Sequence, residues 1–267
     1  MHPVFSLRKP EAIPSKKGRQ SPGNLGYNET MKLMVDIGNT SASFTRFQGE
    51  TVTGRLSLPH GDEDSLAKIS AFLPGRGIET FLSSVAPREE EKVRCLLKEL
   101  GIAPHVFSLE ETLPFIPARV DDPSEVGIDL LLDAFGTKEP SAIIVDLGTC
   151  NKVIYKKDGC FEGVAISAGF QLAYRSIFQN AEKIPDSRVS SRLESVGKNT
   201  PDALSSGILL GGCLGLLALA DRLDPKHELP RFLTGGSAAE AVSLFPGFVY
   251  DPDLLARGMK RLSESLS

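Results

Sequence analysis

Two stretches decide the fold of this chain: Val35-Asp36-Ile37-Gly38-Asn39-Thr40-Ser41, and later Val145-Asp146-Leu147-Gly148-Thr149. Each closes an apolar run, residues 32–36 in one case and 142–146 in the other, that reads as a strand ending in an acid. After each acid comes one residue, then a glycine that lets the chain turn tightly, then a short polar run. A single turn of this kind reads equally as a plain hairpin with an Asx cap. A chain that opens both halves alike reads as two related domains facing each other.

Working outward from the first stretch, residues 41–47 and 52–58 alternate as strands do, and 62–73 have helical spacing. Residues 81–85 read as a strand. Residues 87–100 read as a helix, with Pro87 in its first turn and Gly101 just past its end. A strand at 105–109 and a helix at 126–135 follow. Around the second stretch, 152–156 and 161–166 pair as a hairpin about Asp158-Gly159. Helices are expected at 170–180 and 200–223. A short strand at 231–233 runs into Thr234-Gly235-Gly236 and a helix from Ser237, and a helix at 252–262 closes the chain. Alternating strands and helices argue an α/β fold. Glu139-Pro140 breaks the chain between the halves, so the expected parts are an extension at 1–30 and domains at 31–139 and 140–267.

The length of 267 residues suits two domains of about 100–150 residues each. A formal net charge of -4 removes any general pull toward nucleic acid or anionic membrane. A phosphate site must then make its own positive potential, from backbone N–H groups or a metal. Cys95, Cys150, Cys160 and Cys213 form no C-x-x-C pair and stand at no zinc spacing, so they read as reduced thiols of a cytoplasmic protein. The histidines are scattered, which argues against a histidine triad or metal cluster. Residues 1–30 are basic and rich in Pro, Gly and Ser, without the apolar core of a signal peptide, and read as a disordered tail. Residues 207–220 are uncharged but shorter than the roughly 18–20 needed to cross a bilayer, so a buried core helix is expected there.

The turn after the first strand can aim backbone N–H groups and hydroxyls at phosphate oxygens. Asp36, at the strand end, can hold Mg²⁺ through water, since Mg²⁺ favours one or two carboxylates plus substrate phosphates. Thr234-Gly235-Gly236 leading into a helix fits a nucleotide packed on a glycine turn. The P-loop pattern G-x-x-x-x-G-K-[ST] is absent from the sequence.

The order D-x-G-x-T, D-x-G-T, T-G-G resembles the actin-like and sugar-kinase superfamily. That implies two related ribonuclease H-like domains, with mixed sheets flanked by helices and a cleft between them. Within it, the chain resembles the type III pantothenate kinases from about Met31 to its end. The resemblance is carried by Asp36-Ile37-Gly38-Asn39-Thr40, by Pro123-Ser124-Glu125-Val126-Gly127-Ile128-Asp129 and by Asp146–Thr149. Phe161-Glu162-Gly163, Gly169-Phe170, residues 181–185 and Gly197-Lys198-Asn199-Thr200 extend it.

The resemblance implies transfer of the γ-phosphate of ATP to pantothenate, the first step toward coenzyme A. It assigns ATP contacts to Asp36, Ile37, Gly38, Asn39, Thr40, Ser41, Ala42, Ser43 and Thr149. It assigns substrate contacts to Gly127, Ile128, Asp129, Leu130 and Thr200, with Asp129 as general base and Asp133 one turn further on the same face. Asp146 inherits a monovalent cation, K⁺ or NH₄⁺, and Asp36 a water-mediated Mg²⁺. It further implies a cytoplasmic homodimer, built partly by residues 127–135 and the Gly-rich helix, with no nucleic-acid or membrane partner. The chain departs from the family pattern on the acceptor side. Leu130 replaces an arginine, Asn151, Lys152 and Ile154 stand where threonine and an acid are usual, and 163–169 lacks a glycine and a proline. These departures motivate two competing readings: a non-catalytic binding or regulatory protein on the same fold, and a kinase of another small hydroxylated metabolite.

Overall fold

The computed structural model describes residues 31–73, 75, 77–184 and 193–267; the 1–30 extension and Pro185 of the 181–185 motif lie outside them. Strands β1 (Met31–Ile37), β2 (Ser41–Gln48), β3 (Thr51–Pro59), β4 (Glu79–Ser84) and β5 (His105–Val106) form one sheet in the order β3-β2-β1-β4-β5. Strands β6 (Ala142–Leu147), β7 (Cys150–Lys157), β8 (Cys160–Ala168), β9 (Arg231–Thr234) and β10 (Val249–Tyr250) form the other, in the order β10-β9-β6-β7-β8. Read from the opposite edge, the second order repeats the first. In both sheets the opening three strands are antiparallel and the last two join in parallel. The repeated motif thus marks a repeated topology.

The helices are α1 (Ser65–Phe72), α2 (Pro87–Glu99), α3 (Leu109–Thr112), α4 (Ile128–Gly136), α5 (Phe170–Asn180), α6 (Thr200–Leu204), α7 (Gly211–Leu223), α8 (Ala238–Ala241) and α9 (Leu254–Ser265). Side-chain alternation sorts them into layers. Leu33, Val35 and Ile37 of β1 pack outward with Ile69 of α1 and Val93 and Leu97 of α2. Ile143, Val145 and Leu147 of β6 pack outward with Phe170 and Tyr174 of α5 and Cys213, Leu216 and Ala220 of α7. The inward faces, with Met34 and Ile144, share one core with α4 and α9. By the same period of two, Asp36 shares the inward face of β1 with Met34, and Asp146 shares that of β6 with Ile144. The two acids therefore point into the layer between the sheets.

Three elements differ from the sequence expectation. The strand expected at 105–109 stops at Val106, because Ser108 caps α3 through a capping box with Glu111. Strand β10 is too short to show a periodicity. Residues 200–223 are helical throughout, but a π-helical turn at Ser205–Leu210 interrupts the run. There the Ser206 hydroxyl donates back to the Asp202 carbonyl at 2.8 Å. The run is long and apolar enough to cross a bilayer by length and composition, with a mean hydropathy of 2.0 over its most apolar 18 residues. It is also less buried than expected: Cys213, Leu216 and Ala220 face the core, while Leu214, Leu219 and Leu223 are exposed.

Candidate active site

The two motif turns meet. The Thr40 hydroxyl, at the end of β1, lies 3.0 Å from the Thr149 hydroxyl, at the end of β6. The first turn is closed by the Gly38 N–H donating to the Ser41 carbonyl at 3.0 Å, and a ring nitrogen of His60 lies 2.8 Å from the Gly38 carbonyl. The second turn is wedged between two glycines. A Cβ on Gly169 would strike the carbonyls of Gly148 and Thr149, and one on Gly235 would strike Asp146 Oδ1 and the Leu147 backbone. Gly235 also has φ +96°, the left-handed region that favours glycine. The Ser237 N–H then donates to the Leu147 carbonyl at 2.9 Å, which ties the Thr234-Gly235-Gly236 loop to the motif.

Below the turns lies a cluster of acids around one lysine. Asp146 and Lys152 are opposite one another in the β6–β7 ladder, so their side chains share a face. Lys152 Nζ donates to Asp146 Oδ2 at 2.6 Å and to Asp129 Oδ2 at 3.0 Å. Asp129 is the second residue of α4, behind the N-cap Gly127. A Cβ at 127 would come within 2.5 Å of Asp129 Oδ1, so the carboxylate can fold back only over a glycine. One turn on, Asp133 is buried at 1% exposure, and its Oδ1 has no hydrogen-bond partner among the described residues. Across the layer, Asp36 accepts a 2.8 Å hydrogen bond from the Ser83 hydroxyl of β4, its partner in the parallel ladder.

Burial dominates the electrostatics. It pushes the Asp36 carboxyl up to about 7, against the lowering hydrogen bond from Ser83 and with Asp129 adding to the rise. Burial also raises Asp133 well above the ordinary carboxylate range, with Asp146 adding to it. Asp146 is raised by burial in spite of Lys152. Burial alone would lower Lys152, yet Asp146 and Asp129 hold it above the ordinary lysine value, so it is charged at neutral pH.

The expected site residues divide by exposure. Gly38, Asn39, Thr40, Ser41 and Thr149 line the facing turns, and Asn39 and Thr40 are exposed. Ile37 and Ala42 are core residues at 0% and 3% exposure, which leaves only their backbone for a ligand. Ile128 and Leu130 are likewise buried, and Leu130 packs into the core shared by the sheets. An arginine at 130 would be driven into that core, at the cost of burying an unpaired charge. Thr200 is exposed at the first position of α6, whose N-cap Asn199 accepts from the Asp202 N–H at 2.9 Å. The sequence reading missed Lys152 and Ser83 as members of the site. Lys152 was recoverable by counting outward from the Gly148-Thr149 turn, which sets residue 152 opposite 146. Ser83 depends on a parallel pairing that no local pattern reveals.

A sequence profile of the type III pantothenate kinases matches residues 32–220. The chain belongs to that family. Among curated relatives named type III pantothenate kinase, the Thermus thermophilus protein is 30% identical, over 87% of this chain and 98% of its own length. The Thermomicrobium roseum protein is 28% identical, over 88% and 98%. Two solved structures share the fold. A Baf family protein from Campylobacter jejuni is 22% identical, with a TM-score of 0.56 over 88% of this chain and 98% of that one. A chain described as a 2-dehydro-3-deoxygalactonokinase from Sinorhizobium meliloti is 14% identical, with a TM-score of 0.50 over 88% and 99%. The fold is thus the α/β actin-like one expected from the sequence, with two mixed sheets flanked by helices.

Proposed function

We propose that the converging turns and the acid cluster beneath them carry out this family's reaction. As a member of the family, the chain is a phosphotransferase that uses ATP to phosphorylate pantothenate, the first step toward coenzyme A. The observation that supports this site is the 3.0 Å approach of Thr40 to Thr149, which sets two phosphate-binding turns face to face. The backbone N–H groups and hydroxyls of residues 38–43 hold the phosphates from one side, and Thr149 holds them from the other.

Asp129 is the general base. The pantothenate primary hydroxyl oxygen forms a bond to the γ-phosphorus, the bond from that phosphorus to the β,γ-bridging oxygen breaks, and ADP leaves. The hydroxyl proton passes to the Asp129 carboxylate, which also orients the nucleophile. Lys152 holds that carboxylate in one orientation through its Oδ2. The Gly127 and Ile128 backbone and Thr200 complete the acceptor side. Asp36 fits a Mg²⁺ ion, because it is one half-buried carboxyl beside the phosphate turn whose negative charge is otherwise unfavourable. When bound, Mg²⁺ would neutralise charge on the phosphates.

The chain works in the cytoplasm, consistent with four free cysteines, and without nucleic acid or membrane. Its units are 31–139 and 140–267. It is a homodimer, and the exposed apolar side chains of Leu214, Leu219 and Leu223 support an interface on α7. The side chains of 127–135 offer little to that interface, since Ile128 and all of 130–135 are buried within the chain.

Incubation with ATP, Mg²⁺ and pantothenate should yield phosphopantothenate. Asp129→Asn should lower turnover by about 100-fold or more, the usual weight of a general base, with ATP affinity retained. An Asp129→Asn variant as active as the parent chain removes Asp129 from the mechanism.

A further inference from the structure

Asp146 inherits a monovalent cation by resemblance, but its carboxylate already meets a cation and is closely packed on its other oxygen. Lys152 Nζ holds Oδ2 at 2.6 Å, and the Gly235 turn closes on Oδ1 so tightly that a Cβ there would clash. The Lys152 ammonium is an ammonium ion tethered to the chain: one positive charge, with N–H donors to aim at oxygens. It reaches a second acid, Asp129 Oδ2, at 3.0 Å, and its side chain is only 17% exposed. A separate K⁺ ion at Asp146 would have to sit beside this buried positive charge, where low dielectric makes like-charge repulsion strong. The residues present therefore do not fit a free monovalent ion.

We propose that Lys152 is a built-in monovalent cation, occupying at Asp146 the place of an exchangeable K⁺ or NH₄⁺ and making this chain independent of added monovalent ion. The inference rests on the kinase reading for its consequence in turnover, but not for its consequence in ion binding. Lys152 also serves the charge balance of a cluster that has leucine at 130. The buried acids gather around one fixed cation, and that cation cannot dissociate.

The test uses the full chain in KCl, NH₄Cl, NaCl and choline chloride at equal ionic strength, with two readouts in each: melting temperature, and phosphopantothenate formation from ATP, Mg²⁺ and pantothenate. The wild-type chain should melt at the same temperature in all four salts, with rates within about twofold. Lys152→Thr and Lys152→Met should lose at least about tenfold in rate in choline, recover it in K⁺ or NH₄⁺, and melt higher in those salts by mass action. A wild-type chain that melts higher in K⁺ than in choline, or that requires K⁺ for turnover, overturns the proposal even if both variants fail to fold. Folded variants as indifferent to salt as the wild type also overturn it. If no salt supports turnover while the melting pattern appears as described, the pantothenate reading fails and the built-in cation stands.

Discussion

Asp36 and Asp133 are acids held where their charge is unfavourable, and that has a direct consequence for stability. Both are raised above the ordinary carboxylate value, Asp36 to about 7, chiefly by burial. An acid with a raised folded-state value binds its proton more tightly in the folded chain than in the unfolded one. Stability is therefore full below the unfolded value near 4 and is lost as pH rises toward the folded value. The ligand-free chain should lose melting temperature from about pH 4 up to about 7, the window opened by the Asp36 shift. Asp133→Asn cannot ionise, so it should flatten this slope and melt higher than the wild type above pH 7. Parallel slopes for the two proteins would show that Asp133 is not charged against the folding energy. Asp129 and Asp146 were readable as candidate site residues from their motifs. The role of Lys152 was not, because its meaning lies in reaching an acid from another element, 3.0 Å away.

At the scale of elements, α4 and α9 form the close-packed pair in the core shared by the two sheets. Gly136 of α4 receives the Leu254 carbonyl of α9, and Gly258 of α9 receives the Leu132 carbonyl of α4, each at a distance that leaves no room for a Cβ. The reciprocal pattern lets two backbones touch, as only glycine permits. Beyond the end of α4, Lys156 Nζ donates to the Thr137 carbonyl at 3.2 Å, and Arg261 donates to the Phe135 and Thr137 carbonyls at 3.2 and 3.0 Å. Cations there satisfy carbonyls left open and suit the helix dipole. Gly258→Val should destabilise the chain by about 3 kcal/mol through overpacking, read as a lower urea midpoint with an unchanged slope. A midpoint equal to the wild type would mean that the helices can separate without loss. This packing also sets the position of Asp129, so the variant's loss extends to the site.

Across the whole molecule, the last helix ties the two sheets together. Arg55 of β3 pairs with Asp253 at the start of α9, and Lys32 of β1 donates to Ser263 near its end at 3.0 Å. The Ser83 hydroxyl, which serves Asp36, also lies 3.6 Å from the Met259 sulfur of α9. What the chain leaves outside is the apolar face of α7, with Leu214 at 55% and Leu219 at 42% exposure. If that face seals a dimer, the combined variant Leu214→Arg with Leu219→Arg should elute as a monomer while the wild type elutes as a dimer. Equal elution of the two, or a monomeric wild type, would place the oligomer contact elsewhere or remove it.

The strand ends, the glycine turns and the G-x-D acid are local, since each depends on residues a few positions apart, and the duplicated order is those same local patterns met twice; the amino-acid sequence determined them by itself. Period-two alternation even fixes that Asp36 and Asp146 share faces with Met34 and Ile144. Only the tertiary structure decided that those faces look at each other across one layer, that Leu130 belongs to the core, and that Lys152, opposite Asp146 in the hairpin, also reaches Asp129 of α4. The reason is physical: burial and charge pairing depend on distances between elements, and these are set by how the two sheets close on α4 and α9.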